Sequence, residues 1–204
     1  MRLCQINGEL RITIPRDLKI HRLRNFVAKN MSWLDTNLKS ISPRVPIVVG
    51  GALPVHGRER TIVIDSHFLG QYSLTKDTLT VPELKLALKN QMRNVMIEMA
   101  VTYFNQYCNA YAKKLDVAFS KISIRDPKSR WGSCSSNRRL MFSWRLVMAP
   151  SEVSSYVAAH EIAHLIYMDH SQNFWNTVGE ICPTYKVQRA WLKKYGQRLH
   201  KFAF

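Results

Sequence analysis

Residues 160–170 read HEIAHLIYMDH, three histidines and a glutamate within eleven positions. In a chain of 204 residues with seven histidines, H-E-x-x-H arises by chance in only roughly 1% of cases. His160 and His164 stand one helical turn apart, so their rings project from one face and can grip a single divalent cation. Glu161 lies ~100° further round the axis, where it can reach a water activated by such an ion without ligating the ion itself. His170 obeys a different geometry. On a continuing helix it would sit ~240° round and ~9 Å beyond His164, pointing away from the site. The helix is therefore expected to stop near Met168, with Asp169 turning the chain in a left-handed conformation and His170 closing the site as third ligand. Glu180 is the alternative third ligand, in which case His170 is a surface histidine.

The residues around the motif agree with a metal. "VSSYVAAHEIAHLIYM" carries apolar or small side chains on nearly every face, the mark of a buried helix. A buried Glu161 and buried imidazoles without partners would be costly, and a divalent cation removes that cost. Pro150 and Ser151 open this helix, with Ser151 as cap and Glu152 as first-turn acid. No Lys or Arg falls between Leu146 and His170, so no cation in this stretch competes with the metal. Three protein ligands leave a fourth position for water, which distinguishes a catalytic zinc from a closed structural one. The expected chemistry is metal-assisted hydrolysis with one Zn²⁺ per chain and Glu161 as acid/base.

Working outward, "FSKISIRD" alternates as a strand, "PKSRWGSCSSNRR" is a turn-rich loop, and "LMFSWRLVMA" reads as a second strand that pairs with the first as a hairpin. Upstream, the longest helical pattern opens at Pro82 and runs to about Leu115, with a stripe through Leu84, Leu88, Met92, Val95, Met99, Tyr103 and Tyr107 that suits a core-facing helix. Before it, "GELRITI" (8–14) reads as a short strand and 18–40 as one helix. "IVVGGALPVHGRERTIVI" reads as a hairpin, and 68–81 as a weaker strand and turn. A last helix spans about Tyr185 to Leu199. This order predicts an α+β fold, divided into an N-terminal β-rich region with one helix (1–81) and a catalytic region (82–204).

Thirty Lys and Arg against fourteen Asp and Glu give a net charge of +16. Such an excess suits a polyanionic partner, nucleic acid or a nucleotide, or else simply keeps the protein in solution. No apolar run approaches the ~18 residues that cross a bilayer, so no membrane partner is expected. The N-terminus meets a charge too early for a signal peptide. Cys4, Cys108, Cys134 and Cys182 are far apart with no C-x-x-C pair, which fits free thiols and a cytoplasmic location.

Taken together, "RWGSCSS", a strand with "WRL", then "AP", "HEIAH" and "DHSQNFW" resemble the YgjP-like zinc metallopeptidase family, also called domain of unknown function 45 and related to WLM and SprT-type proteases. "RNFVAKNMSWL", "VHGRERTIVI" and "YKVQRAWLKKYG" extend the resemblance over most of the chain. It implies a zincin-like domain, His160, His164 and His170 as zinc ligands, Glu161 as catalytic acid/base, and a peptide or protein substrate. A nucleotide pyrophosphatase activity towards UTP has also been attached to the family. The HExxH-x5-H spacing equals that of metzincins, although Tyr167 stands where those carry glycine.

Around the motif, Arg130, Trp131, Arg138, Arg139 and Tyr167 are the candidate substrate-binding residues. The arginines suit phosphate, and Trp131 either stacks on a base or fills the core beneath the loop. An edge strand beside the motif helix would suit an extended peptide. Ser133 and Cys134 have no neighbouring base motif and are read as turn and core residues. Tyr167, Tyr185 and Arg130 are all candidates to steady the oxyanion. The tail from Thr184 onward carries Lys186, Arg189, Lys193, Lys194, Arg198 and Lys201 without an acid, a solvated face or a nucleic-acid contact. Three functions follow: a zinc peptidase, a metal-dependent nucleotide hydrolase sharing its site, and a nucleic-acid-binding protein with a structural zinc.

Overall fold

The computed structural model describes residues 2–3, 10–15, 17–39 and 43–204, which form two compact units, Met1–Val45 and Pro46–Phe204. In the first, β1 (Arg2–Leu3) pairs antiparallel with β2 (Leu10–Arg11). Gly8 and Glu9, the start of the strand expected over 8–14, lie outside the described residues, as does Ser40. The single helix expected from Leu18 is instead α1 (Ile20–Lys29) and α2 (Met31–Lys39). Asn30 interrupts it: its side-chain amide donates to the Phe26 carbonyl at 2.8 Å and its N–H to Val27 at 2.9 Å. Asparagine competes with helical bonding in this way, so the chain turns there.

After β3 (Val45–Pro46), the second unit begins with a four-stranded sheet ordered β4 (Ala52–Val55), β5 (Arg58–Asp65), β7 (Thr78–Pro82), β6 (Ser73–Leu74). The expected hairpin is β4–β5. Its turn is His56–Gly57, both with positive φ (53° and 75°), the conformation of a two-residue turn that matches strand twist. A side chain at Gly57 would also meet Pro150 at 3.0 Å. The hairpin tip is thus pressed onto the segment leading into the motif helix, with His56 N–H donating to the Val147 carbonyl at 2.7 Å.

Pro82 ends β7 and does not open the long helix, because the β5 ladder extends through it by pairing Asp65 with Pro82. The helix, α3, runs Leu88–Lys114 and buries Met92, Val95, Met96, Met99, Ala100, Phe104 and Cys108. Those residues recur every three or four positions and form its core stripe. Leu84 lies ahead of the helix and is exposed.

The second sheet departs from the expected hairpin. β8 (Lys121–Arg125) and β10 (Arg139–Ser143) are parallel neighbours, and β9 (Gly132–Cys134), from inside the loop, pairs antiparallel with β10. Gly-Ser-Cys has little strand propensity, so this strand owes its existence to tertiary pairing. The strand expected to continue to Ala149 stops at Ser143 and becomes a 3₁₀ turn, Trp144–Met148, buried throughout.

α4 (Ser151–Ala163), α5 (Gln172–Ile181) and α6 (Tyr185–Tyr195) complete the unit, with a 3₁₀ turn at Gly196–His200 and β11 (Phe202–Ala203). Pro150, not Ser151, occupies the cap position of α4. The core lies between α3, α4 and the second sheet, where Phe104 stacks on Phe142 at 4.1 Å. Arg145 ties the C-terminal turn to this core. It binds both Asp126 oxygens, at 2.6 and 3.1 Å, and donates to the Leu199 carbonyl at 3.1 Å. Helices with small mixed sheets make this an α+β protein. Among the described residues, no helix is long and apolar enough to cross a membrane.

Candidate metal centre

α4 is buried on nearly every face, including Val153, Tyr156, Val157, Ala158, Ala159, Glu161, Ile162 and Ala163. The motif therefore lies where charge and unpaired nitrogen are most costly. The helix ends earlier than expected, at Ala163, with His164 as its cap residue. Leu165 and Ile166 N–H groups donate three residues back, to Ile162 and Ala163, which tightens the last turn. Asp169 does not adopt a left-handed conformation; the described non-glycine residues with positive φ are His56, Asp116 and Arg138. Its side chain instead accepts the Ser171 N–H at 3.1 Å, and Ser171 caps α5 by accepting from Phe174 N–H. Stopping the helix a turn sooner achieves the return that a left-handed residue would otherwise provide.

That return brings His170 back to the motif. The His160, His164 and His170 ring centroids form a near-equilateral triangle of 4.8, 5.0 and 4.9 Å. Their candidate ligand nitrogens lie within 4.8 Å of one another, and the Nε2 atoms of His160 and His170 are 3.2 Å apart. A tetrahedral ion with bonds of 2.0–2.1 Å separates its ligands by about 3.3 Å, so small ring rotations bring the set to a metal. Phe174 forms the floor, 4.6–4.9 Å from all three rings.

Proton placement fits as well. His164 Nδ1 lies 2.9 Å from the Tyr167 carbonyl, which can only accept, so Nδ1 carries the proton and Nε2 presents its lone pair to the triad. His160 Nδ1 is buried without a hydrogen-bond partner. Burial, with His164 and His170 adding, drives the His160 pKa down to about 3, and burial also lowers that of His164. Neutral imidazole is the form that binds metal. The donor set fits a divalent cation. Glu180 is exposed on α5 and outside this group.

Glu161 is 5% exposed. Burial pushes its pKa up to about 8, against the pull of Arg130. Among the described residues no hydrogen bond or salt bridge reaches its carboxylate. Gly132 on β9 lies against it: a Cβ there would stand 2.5 Å from Glu161 Oε1. Trp131 and Ser135 bond to β10 through the Trp131 carbonyl and the Ser135 N–H. By strand alternation, the N–H and C=O of Gly132 and Cys134 face the open edge beside Glu161.

The other expected site residues scatter. Arg130 is exposed and is felt electrostatically at Glu161. Arg138, also exposed, donates through Nε to the Ala118 carbonyl at 2.7 Å, and Arg139 is exposed at the start of β10. Tyr167 acts through its backbone carbonyl on His164. Cys134 and Cys108 are pushed by burial up to about 11 and about 12, so neither is a thiolate near neutral pH. Trp131 packs on His200, 5.1 Å between rings, and against Gly196. His200 is 5% exposed, and burial, with Arg145 adding, lowers its pKa to about 4.

This histidine makes an acid-sensitive support for the loop. The unfolded chain takes up its proton below pH ~6.5 while the folded chain resists until about pH 4. Its contribution to stability is thus complete above pH 6.5 and is lost as pH falls through that window, at up to about 1.4 kcal/mol per unit. Urea midpoints measured from pH 7 to 4.5 are expected to fall less steeply in His200→Asn than in the parent protein.

Several residues at the site were given no role there from sequence: Gly132, Phe174, Trp175 and Arg189. Trp175 stands 5.7 Å from His160 and 5.8 Å from His170, with Tyr185 stacked beyond it at 5.5 Å. Only the aromatic pair in "DHSQNFW" hinted at such a wall.

Three converging imidazoles beside a buried carboxylate, in an α+β domain, have the make-up of a metal-dependent hydrolase. The chain belongs to the YgjP-like metallopeptidase family, whose domain model matches residues 1–195. Among curated proteins, none matches it.

Proposed function

We propose that the protein is a zinc-dependent peptidase of zincin type, holding one Zn²⁺ per chain through His160, His164 and His170. The observation that carries this reading is the near-equilateral imidazole triangle, next along α4 to a buried, unpaired Glu161. When bound, the ion supplies Lewis acidity, lowering the pKa of a water towards ~7 and polarising the scissile carbonyl. Glu161 takes a proton from the attacking water and delivers it to the leaving amide nitrogen. The open β9 edge aligns the substrate by pairing with an extended peptide through the Gly132 and Cys134 backbone groups. α4 and Phe174 exclude water from behind the reacting atoms.

Hydrolysis of a nucleotide such as UTP is the second reading. It needs Arg130, Arg138 and Arg139 to gather round one phosphate chain. The Arg138 guanidinium is engaged by Ala118, which supports that reading less. Purified protein, with Zn²⁺ or with a chelator, is to be given unfolded protein and a nucleoside triphosphate panel. Chelator-sensitive peptide cleavage is expected. Pyrophosphate release without it establishes the nucleotide hydrolase, and neither activity, with salt-sensitive nucleic-acid binding, establishes a binding protein with structural zinc.

The ligand set has its own test. After dialysis against metal-free buffer, His170→Ala is expected to hold well under one zinc per chain by elemental analysis, whereas Glu180→Ala keeps one. The reverse result transfers the third ligand to Glu180.

A further inference from the structure

A cation stands beside the candidate metal centre, on α6. Tyr185 and Arg189 stand four residues apart on α6, so both project from one face, and both lie on Trp175. Tyr185 stacks at 5.5 Å and 16°, and the Arg189 guanidinium carbon sits 4.4 Å from the indole centroid. Trp175 in turn lies 5.7 and 5.8 Å from the His160 and His170 rings, so this pair adjoins the candidate metal centre through it. Arg189 is exposed, and among the described residues it makes no hydrogen bond or ion pair. Its guanidinium donors are directed by the indole yet unused. Arg145 offers the contrast: it stacks on Trp144 but is fully engaged by Asp126 and backbone carbonyls.

A guanidinium held flat on an indole loses little further freedom when it grips a planar anion, and a carboxylate matches its fork. The separations from Arg189 through Trp175 to His160 together come to no more than about 10 Å, which an extended peptide covers in about three residues. A net charge of +16 favours acidic substrates in the same direction. We infer that Arg189 is a specificity-determining residue that binds a substrate carboxylate within about three residues of the cleaved bond. The carboxylate belongs to an Asp or Glu side chain or to the peptide's own C-terminus. This inference rests on the peptidase reading.

The test uses the full-length zinc-loaded protein and one neutral parent peptide. A first series places Glu at each of three positions on either side of the cleaved bond, with the C-terminus amidated. A second series keeps neutral side chains and ends in a free carboxylate at each of the three positions that follow the cleaved bond. The best acidic peptide is expected to exceed the parent in kcat/KM by about tenfold, chiefly through KM. Arg189→Gln is expected to bring that ratio close to one, Arg189→Lys to restore part of it, and salt to reduce it. The series showing the preference identifies side chain or terminus as its source. Binding of the same peptides to zinc-loaded Glu161→Gln, with and without Arg189→Gln, is followed by fluorescence anisotropy. No acid preference in the parent protein, or a ratio that survives Arg189→Gln, overturns the inference. If nothing is cleaved while Arg189-dependent binding of acidic peptides persists, the peptidase reading falls and the anchoring site stands.

Discussion

Glu161→Gln is expected to bind zinc as the parent protein does while its peptide turnover falls by about three orders of magnitude. Gln preserves the shape of the side chain but can neither accept the water's proton nor deliver it to the amide nitrogen. Zinc content is unaffected because the three imidazoles, not the carboxylate, converge on the site. Stability moves the other way. The Glu161 carboxyl is 5% exposed and burial raises its pKa, so the ionised group is disfavoured where it sits. The metal-free Glu161→Gln protein is therefore expected to melt no lower than the metal-free parent. Loss of turnover with zinc and melting temperature intact is the signature of a catalytic group. Turnover within tenfold of the parent would remove Glu161 from the reaction.

Gly132→Ala is expected to lower kcat by about two orders of magnitude without unfolding the protein. The added methyl would meet Glu161 at 2.5 Å from Oε1, 2.8 Å from Cγ and 2.9 Å from Cδ. None of these separations is tolerable for carbon, so one partner has to move. β9 is held by its ladder to β10, whereas the contacted atoms are the end of a side chain without a hydrogen bond. The carboxylate therefore yields, and a displacement of about 1 Å is enough to remove most of its advantage in proton transfer. Kinetics beside zinc content and melting temperature checks this. A kcat equal to the parent's would show that Glu161 functions elsewhere than against β9. A Gly132→Ala protein that loses zinc would show that the strand supports the imidazoles as well.

The part of the site legible in the sequence is the part governed by spacing along one helix. His160, Glu161 and His164 are placed relative to one another by helix geometry alone, and the apolar surroundings from Val153 to Ile162 announce a buried helix wherever that helix packs. The need for the chain to turn back before His170 was legible too, since a continuing helix cannot deliver it. How it turns was not: Asp169 was the natural residue for a left-handed turn, yet the helix ends at Ala163 and the His164–Tyr167 contact tightens the exit. Both routes satisfy the local backbone, and tertiary packing chooses between them.

The strands beside the motif mark the other boundary. "GSC" reads as loop by propensity and becomes an edge strand because β10 supplies its partners from six to ten residues on, while β8 approaches β10 in parallel where a hairpin was expected. Arg189 shows the same divide. No cation occurs in the sequence between Leu146 and His170, but α6 returns one to the candidate metal centre through Trp175. Along one helix, residue spacing is set by backbone geometry and so is carried by the order of amino acids. What stands across a cleft from that helix is set by which distant surfaces bury one another, and that is decided only when the whole chain is packed.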